Sequence, residues 1–216
     1  MFGFMIVVGC GKEKIKHWEE VFFQFDMPFK IEPGAETIHV GDTLTISASI
    51  SDSLFDLFSN KKYYLPDFYF PVSLVTKELV DTSKYFPSQP GANNKFNYIF
   101  PIGNGAVSSI SFADLIPIYN GRMYNYNCKL VPQQPGVYAI WFMDVVPKRI
   151  LPQEFAPEPS GWRRVPIVRW NRYIINNGET HFSLLEQYSK PSGESTCTGC
   201  GVLSQKNVCY TFRVVP

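Results

Sequence analysis

Phe23-Gln24-Phe25-Asp26-Met27-Pro28-Phe29-Lys30-Ile31 alternates an apolar residue with a polar one or a proline at every step. A β-strand sends successive side chains to opposite faces. Phe23, Phe25, Met27, Phe29 and Ile31 would then share one buried face while Gln24, Asp26, Pro28 and Lys30 meet water. A helix would scatter the same residues around its axis. Pro28 has no N–H to place in a ladder, which predicts an edge or a bulge there. Just upstream, Ile15, Trp18, Val21 and Phe22 have a spacing that one or two helical turns would also satisfy.

Working outward, Pro33-Gly34 marks a turn, and Leu44, Ile46, Ala48 and Ile50 alternate with Thr43, Thr45, Ser47 and Ser49. The β-branched threonines on the polar side favour a strand. The stretch from Tyr63 to Leu79 is rich in aromatics and broken by Pro66 and Pro71, and residues 81–95 read as loop. Phe96 to Ile102 and Val107 to Phe112 read as short strands around Gly103-Asn104-Gly105. Asn120-Gly121 is a hairpin signal, followed by alternating Tyr124, Tyr126, Cys128 and Leu130. Pro135-Gly136 turns into Val137 to Val145, whose near-continuous apolarity predicts a central strand. Val208, Tyr210, Phe212 and Val214 form the last alternation.

Residues 147–206 break this pattern. Their first part is proline-rich, and Thr180 could cap a short helix carrying Phe182, Leu184, Leu185 and Tyr188. Many short strands with turns between them describe an all-β sandwich or barrel. The composition agrees: 16% aromatic, only 18% charged, with 17 prolines and 15 glycines among 216 residues. The formal charge of +1 supplies no global field for steering toward nucleic acid or anionic membrane, so any electrostatic preference must be local, and no nucleic-acid partner is expected. A transmembrane helix needs about 20 apolar residues, and no stretch of the chain is that long.

Gly136-Val137-Tyr138 resembles the corner that opens the penultimate strand of immunoglobulin-like domains, where a Tyr hydroxyl caps nearby backbone. The segments Pro33 to Ile50 and Val137 to Val145 resemble the immunoglobulin-like modules of Bacteroidota lipoproteins. The resemblance implies an antiparallel immunoglobulin-like β-sandwich as one domain over residues 21–216, with a long, partly helical insertion (147–206) before the last strand.

The apolar run Phe2 to Val8 leads into Val7-Val8-Gly9-Cys10, which resembles the lipobox of bacterial lipoproteins. The resemblance implies that residues 1–10 are a signal peptide ending at Cys10, that Cys10 is lipidated, and that residues 11–20 are a tether. The protein would then sit in the bacterial cell envelope, on the outer membrane. No Lys or Arg precedes the run, so a basic segment is expected upstream of Met1. Gly11-Lys12-Glu13-Lys14 is similar to the short signals that send some of these lipoproteins to the outer surface.

With Cys10 assigned to lipid, four cysteines remain, Cys128, Cys197, Cys200 and Cys209. An even number outside the cytoplasm favours disulfides. Three pairings are open; the expectation leans to Cys197 with Cys209 and Cys128 with Cys200. Zinc held by Cys197, Cys200, Cys209 and His181 needs reduced thiols, and a redox CxxC needs a helix after it. Both are disfavoured. No metal and no cofactor are expected.

Trp162, Arg163, Arg164, Arg169, Trp170, Arg172 and Tyr173 form a basic-aromatic patch. Guanidinium planes and aromatic faces suit sugars or anionic glycans. The competing explanation is that the aromatics anchor the insertion while the arginine stems lie across it. Hydrolytic chemistry has little support. His17, His39 and His181 are unrelated in position, and G-x-S-x-G, H-E-x-x-H and P-loop patterns are missing. The acid pairs are Glu19-Glu20, Asp52 with Asp56, and Glu154 with Glu158. Asp52 and Asp56 flank a turn at Leu54-Phe55 and read as helix caps or Asx-turn residues. The leading expectation is a non-catalytic envelope lipoprotein that binds a glycan or an envelope protein. The alternatives are a carbohydrate-active hydrolase and a subunit of a larger envelope assembly.

Overall fold

The computed structural model describes residues 17–68, 70–84, 88–102, 104–145, 148–151, 155, 162–169, 171–189 and 208–216. Cys10 and the segment before it, read as a lipobox, lie outside that set. The first strands are β1 (His17–Phe23), β2 (Asp26–Glu32), β3 (Thr37–His39), β4 (Leu44–Ser51), β5 (Ser53–Asp56) and β6 (Lys61–Tyr64). Then come β7 (Val72–Glu78), β8 (Phe96–Ile102), β9 (Asn104–Val107), β10 (Phe112–Ile116), β11 (Ile118–Tyr119) and β12 (Met123–Pro132). The chain continues through β13 (Gly136–Asp144), β14 (Lys148–Ile150), β15 (Trp162–Arg169) and β16 (Arg172–Ile175). A single short helix, α1 (Phe182–Tyr188), precedes β17 (Cys209–Val215) among the described residues. The protein is all-β in class.

One sheet has the order β3-β17-β13-β7-β10-β9, and a second runs β11-β12-β4-β2-β16 with β8 also paired to β12. Small sheets β1-β15-β14 and β5-β6 complete the set. Most pairs are antiparallel, as the short connections require. Three are parallel: β1 with β15, β16 with β2 and β17 with β3. Each joins segments far apart in sequence, which a hairpin cannot do.

The period-two reading of residues 23–31 holds in burial: Phe23, Phe25, Met27, Phe29 and Ile31 are all buried. It is divided between two strands, because Phe25 lies between β1 and β2 and forms only an isolated bridge to Asp56. Pro28 falls where β2 changes partners. Residues 26–29 pair with β16 on one side, and pairing with β4 on the other begins at Lys30. The missing N–H costs no β4 ladder bond there.

The two large sheets share one core. Phe29 of β2 stacks on Phe142 of β13 at 4.1 Å, and Phe96 of β8 meets Tyr138 of β13 at 4.8 Å. Burying each such ring contributes about 2–3 kcal/mol. Strand β13 lies between β17 and β7, central as its apolarity demands. At its start, Tyr138 Oη donates to the carbonyl oxygen of Gln134 at 3.1 Å, with Pro135 O at 3.4 Å. Gly136 is required beside it, since a Cβ there would lie 2.9 Å from Tyr138 Oη.

Several local expectations are corrected. Trp18, Val21 and Phe22 belong to strand β1 and not to helical turns, because β15 supplies a parallel ladder for residues 17–23. This strand also takes up the last residues of the stretch read as tether. Residues 107–112 are not one strand: Ser108–Ser111 turn between β9 and β10, and Ser109 Oγ accepts from Phe112 N at 3.1 Å. Helix α1 starts from His181 in a left-handed conformation (φ 53°) without a side-chain cap. Thr180 does not cap it; its carbonyl accepts from Thr211 N of β17 instead. Leu54-Phe55 is strand β5 and not a turn.

Candidate functional site

Across the outer face of the second sheet, three strands line up polar side chains. The register sets Lys30 of β2 beside Ser47 of β4, and Ser47 beside Asn127 of β12. One row along, Ser49 faces Asn125, and Ser49 Oγ hydrogen-bonds Asn125 Oδ1 at 2.5 Å. These residues alternate with Ile46, Ala48, Tyr126 and Cys128, which are buried on the opposite face. The period of the strand therefore produces an apolar inner face and an amide-and-hydroxyl outer one from the same residues.

A wall stands over this row. Asn176, just after β16, accepts from Ile31 N at 2.8 Å through Oδ1 and donates to Ile31 O at 3.1 Å through Nδ2. Its side-chain amide thereby mimics one more residue of the β16 ladder. Asn176, Asn177 and Gly178 take positive φ in succession (46°, 54° and 97°), a turn that asparagine and glycine tolerate best. The wall and the strands enclose an open groove of about 740 Å³, within the range of small-ligand sites. Asn127 Oδ1 is buried beside it with no hydrogen-bond partner among the described residues. An unmade bond at a buried acceptor costs about 1–3 kcal/mol.

Of the basic-aromatic patch, the side chains of Arg164, Arg172 and Tyr173 are described, and each is engaged by the protein's own residues. Tyr173 is buried, 4% exposed, with its ring against Phe29 and Phe142 and its hydroxyl donating to Asp144 Oδ1 at 2.9 Å. It is core, because β16 pairs with β2 and turns it inward. The Arg172 guanidinium grips the Asp26 carboxylate through Nε and Nη2, and that pairing holds its pKa above the ordinary value. Arg164 Nε donates to Glu19 at 2.7 Å. These arginines join the parallel strand pairs β16–β2 and β15–β1. Trp170 lies outside the described residues, as do the side chains of Trp162, Arg163 and Arg169.

Cys197 and Cys200 are also outside the described residues, so both expected pairings lie beyond them. No disulfide is seen among the described residues; Cys128 and Cys209 are buried free thiols. They face different places. Cys128 is in the core shared by the sheets, whereas Cys209 packs with Leu79, Ala139 and Leu185 on the far side of β13–β17. Burial pushes Cys128 up to about 12 and raises Cys209 further. Neither thiol is expected to react with iodoacetamide in the folded protein at about pH 8, where an exposed thiol is part thiolate. Mass spectrometry after alkylation reads this directly: both should gain the label only in guanidinium. A native-state label on either would contradict the burial.

Asp52 and Asp56, read as flanking a turn, are both held by hydrogen bonds. Asp56 is buried, and its carboxylate accepts from Gln24 N and Ser59 N, both at 2.8 Å. Asp52, also buried, accepts from Tyr119 Oη at 2.7 Å. Glu154 and Glu158 are outside the described residues. His181 sits 3.2 Å from Gly34 O, and His39 is exposed near Asp42. No cluster of metal-ligand type occurs among the described residues.

The groove residues Ser47, Ser49, Asn125 and Asn127 were visible in the sequence only as the polar half of two alternations. Their signal was amides and hydroxyls in place of the charges that usually face water. No protein-family model, curated protein or solved structure matches the chain.

Proposed function

We propose that the chain is a non-catalytic binding module of the bacterial envelope, an immunoglobulin-like β-sandwich held to the outer membrane through a lipidated Cys10. The immunoglobulin-like reading is supported by the Tyr138 hydroxyl bond at the start of β13 and by the two sheets that share a core. The parallel addition of β3 to β17 also supports it. Residues 147–206 serve on this reading as the insertion before the last strand; the described part contributes β15, β16, α1 and the wall of the groove. The lipid anchor rests on the sequence Val7-Val8-Gly9-Cys10. Among the described residues no helix is long and apolar enough to cross a membrane.

The groove carries the binding half of the reading. Asparagine offers one acceptor and two donors, and serine offers both functions. A row of them matches a ligand whose surface alternates hydroxyls and amides, which is the chemistry of an envelope glycan. Asn127 lines the groove and would present its side-chain amide to a ligand. Glu32 and Glu179 also line the groove and keep a hydrolase as the second reading. Against it, both are exposed and Glu32 is held by Lys30 at 2.5 Å.

An array of bacterial envelope glycans, probed with the wild type and with Asn127→Ala, tests the binding. Retention of at least one glycan, weakened about tenfold by the substitution, is expected for the loss of one or two bonds. Retention on no glycan, or equal retention by the variant, would overturn the assignment of the groove. Released oligosaccharide would select the hydrolase. Palmitate labelling of the wild type against Cys10→Ala reads the anchor separately, and label retained by the variant would sink it.

A further inference from the structure

We infer that the β5–β6 hairpin is a membrane-contacting element that seats the body of the protein on a bilayer carrying anionic lipid. The hairpin has two unlike faces. Leu54 and Tyr63 are paired and face inward, where Tyr63 meets Phe23 edge-on at 5.1 Å and Phe155 at 5.1 Å. The opposite face carries Phe55 beside Lys62, and Ser53 beside Tyr64. Phe55 is 45% exposed, Tyr64 63%, and Phe58 at the turn 60%. Aromatic rings this exposed lose free energy to water and gain it at the boundary between lipid head groups and acyl chains.

Charge selects the occupant. Lys61 and Lys62 are exposed, and no ion pair holds either among the described residues. The nearest acid in register, Asp56 opposite Lys61, is turned to the backbone of Gln24 and Ser59. By register Lys62 shares the outward face with Phe55 and Tyr64, while Lys61 lies on the other face beside the turn that carries Phe58, exposed to water. Cationic side chains beside aromatic ones suit a head-group layer of mixed zwitterionic and anionic lipid. Protein interfaces are depleted in lysine, which sets this face apart from them.

The hairpin is also tied to the chain that follows β1. Gln24 O accepts from Leu57 N, and Phe25 bridges Asp56 in antiparallel sense. As β5 advances toward its turn, the neighbouring chain is therefore followed backward from Phe25 toward β1. The chain preceding His17 contains Cys10 and the apolar run Phe2 to Val8. The six residues from Gly11 to Lys16 can span at most about 20 Å when extended. The inference rests on the lipid-anchor reading only for which membrane is met; the hairpin's chemistry stands without it.

The test uses the full chain carrying Cys10→Ala, so that no acyl chain contributes. It measures partition into vesicles of phosphatidylethanolamine with phosphatidylglycerol, and into phosphatidylcholine vesicles. Phe58→Ser with Tyr64→Ser is expected to weaken binding to the anionic vesicles by about tenfold or more. Lys61→Gln with Lys62→Gln should remove the preference for phosphatidylglycerol while leaving the thermal midpoint unchanged. All four side chains are exposed, so folding is preserved in both variants. Binding equal to the parent in both would overturn the inference. So would vesicle binding that is unaltered while the aromatic variant alone abolishes self-association on a sizing column. Palmitate labelling at Cys10 is scored apart from this. Label present with no hairpin effect removes the hairpin alone, and label absent with the hairpin effect intact removes the anchor alone.

Discussion

Replacing Asp144 by Ala is expected to lower the unfolding free energy by about 3–5 kcal/mol, a large share of a typical domain's stability. Asp144 is 5% exposed at the end of β13. Its carboxylate accepts from Asn171 N at 2.8 Å, Asn171 Nδ2 at 2.8 Å and Tyr173 Oη at 2.9 Å. Alanine would leave these three donors buried without an acceptor. The loss falls on the junction between β13 in one sheet and β16 in the other. Tyr173→Phe removes a donor together with its bond and should cost only about 1 kcal/mol. Urea unfolding followed by tryptophan fluorescence measures both. A loss below about 1 kcal/mol for Asp144→Ala would show that these bonds do not hold the strands together.

Phe29→Ala should cost about 3–5 kcal/mol through a different mechanism, the cavity left in a close-packed core. Its ring touches Phe142 at 4.1 Å, Tyr126 at 5.3 Å and Tyr173 at 6.1 Å, which are aromatics from β13, β12 and β16. No single neighbour can move to fill the space without leaving the other two. Phe29→Leu keeps most of the volume and should cost clearly less. Phe58→Ala, exposed at the hairpin turn, is the control and should be nearly neutral. If the Phe29 and Phe58 variants unfold at the same denaturant concentration, the core has been misplaced.

The free cysteines add a related point. Cys128 needs no partner to be accommodated, because a thiol of raised pKa behaves in the core as a small apolar group. Its burial follows from the alternation of β12, in which Tyr124, Tyr126, Cys128 and Leu130 all turn inward.

How the sequence could be read depended on the range of the interactions involved. Alternation at residues 23–31 and 44–50 was legible because strand geometry ties side-chain direction to the adjacent peptide alone. The near-continuous apolar run after Gly136 announced a central strand, and the resemblance of Gly136-Val137-Tyr138 to a known corner implied a hydroxyl bond to nearby backbone, which Gln134 O accepts. Residues 17–22 were ambiguous locally, and their state was settled by β15, about 145 positions away. Arg172 and Tyr173 had the composition of a binding surface, yet Asp26 and the aromatic core hold them, and neither is adjacent in sequence.

The groove has the same origin. Lys30, Ser47 and Asn127 become neighbours only through the pairing of β2, β4 and β12, and Asn176 reaches Ile31 across 145 residues. The all-β class and the inward face of the clearest strands were legible in the sequence, because each follows from residues a few positions apart, and the corner at Tyr138 was implied by resemblance. The tertiary structure alone decided which arginines are engaged, that Cys128 and Cys209 face different places, and where amides converge into a groove. Those outcomes depend on which distant strand supplies the next ladder, and long-range pairing is selected by the packing of the whole core.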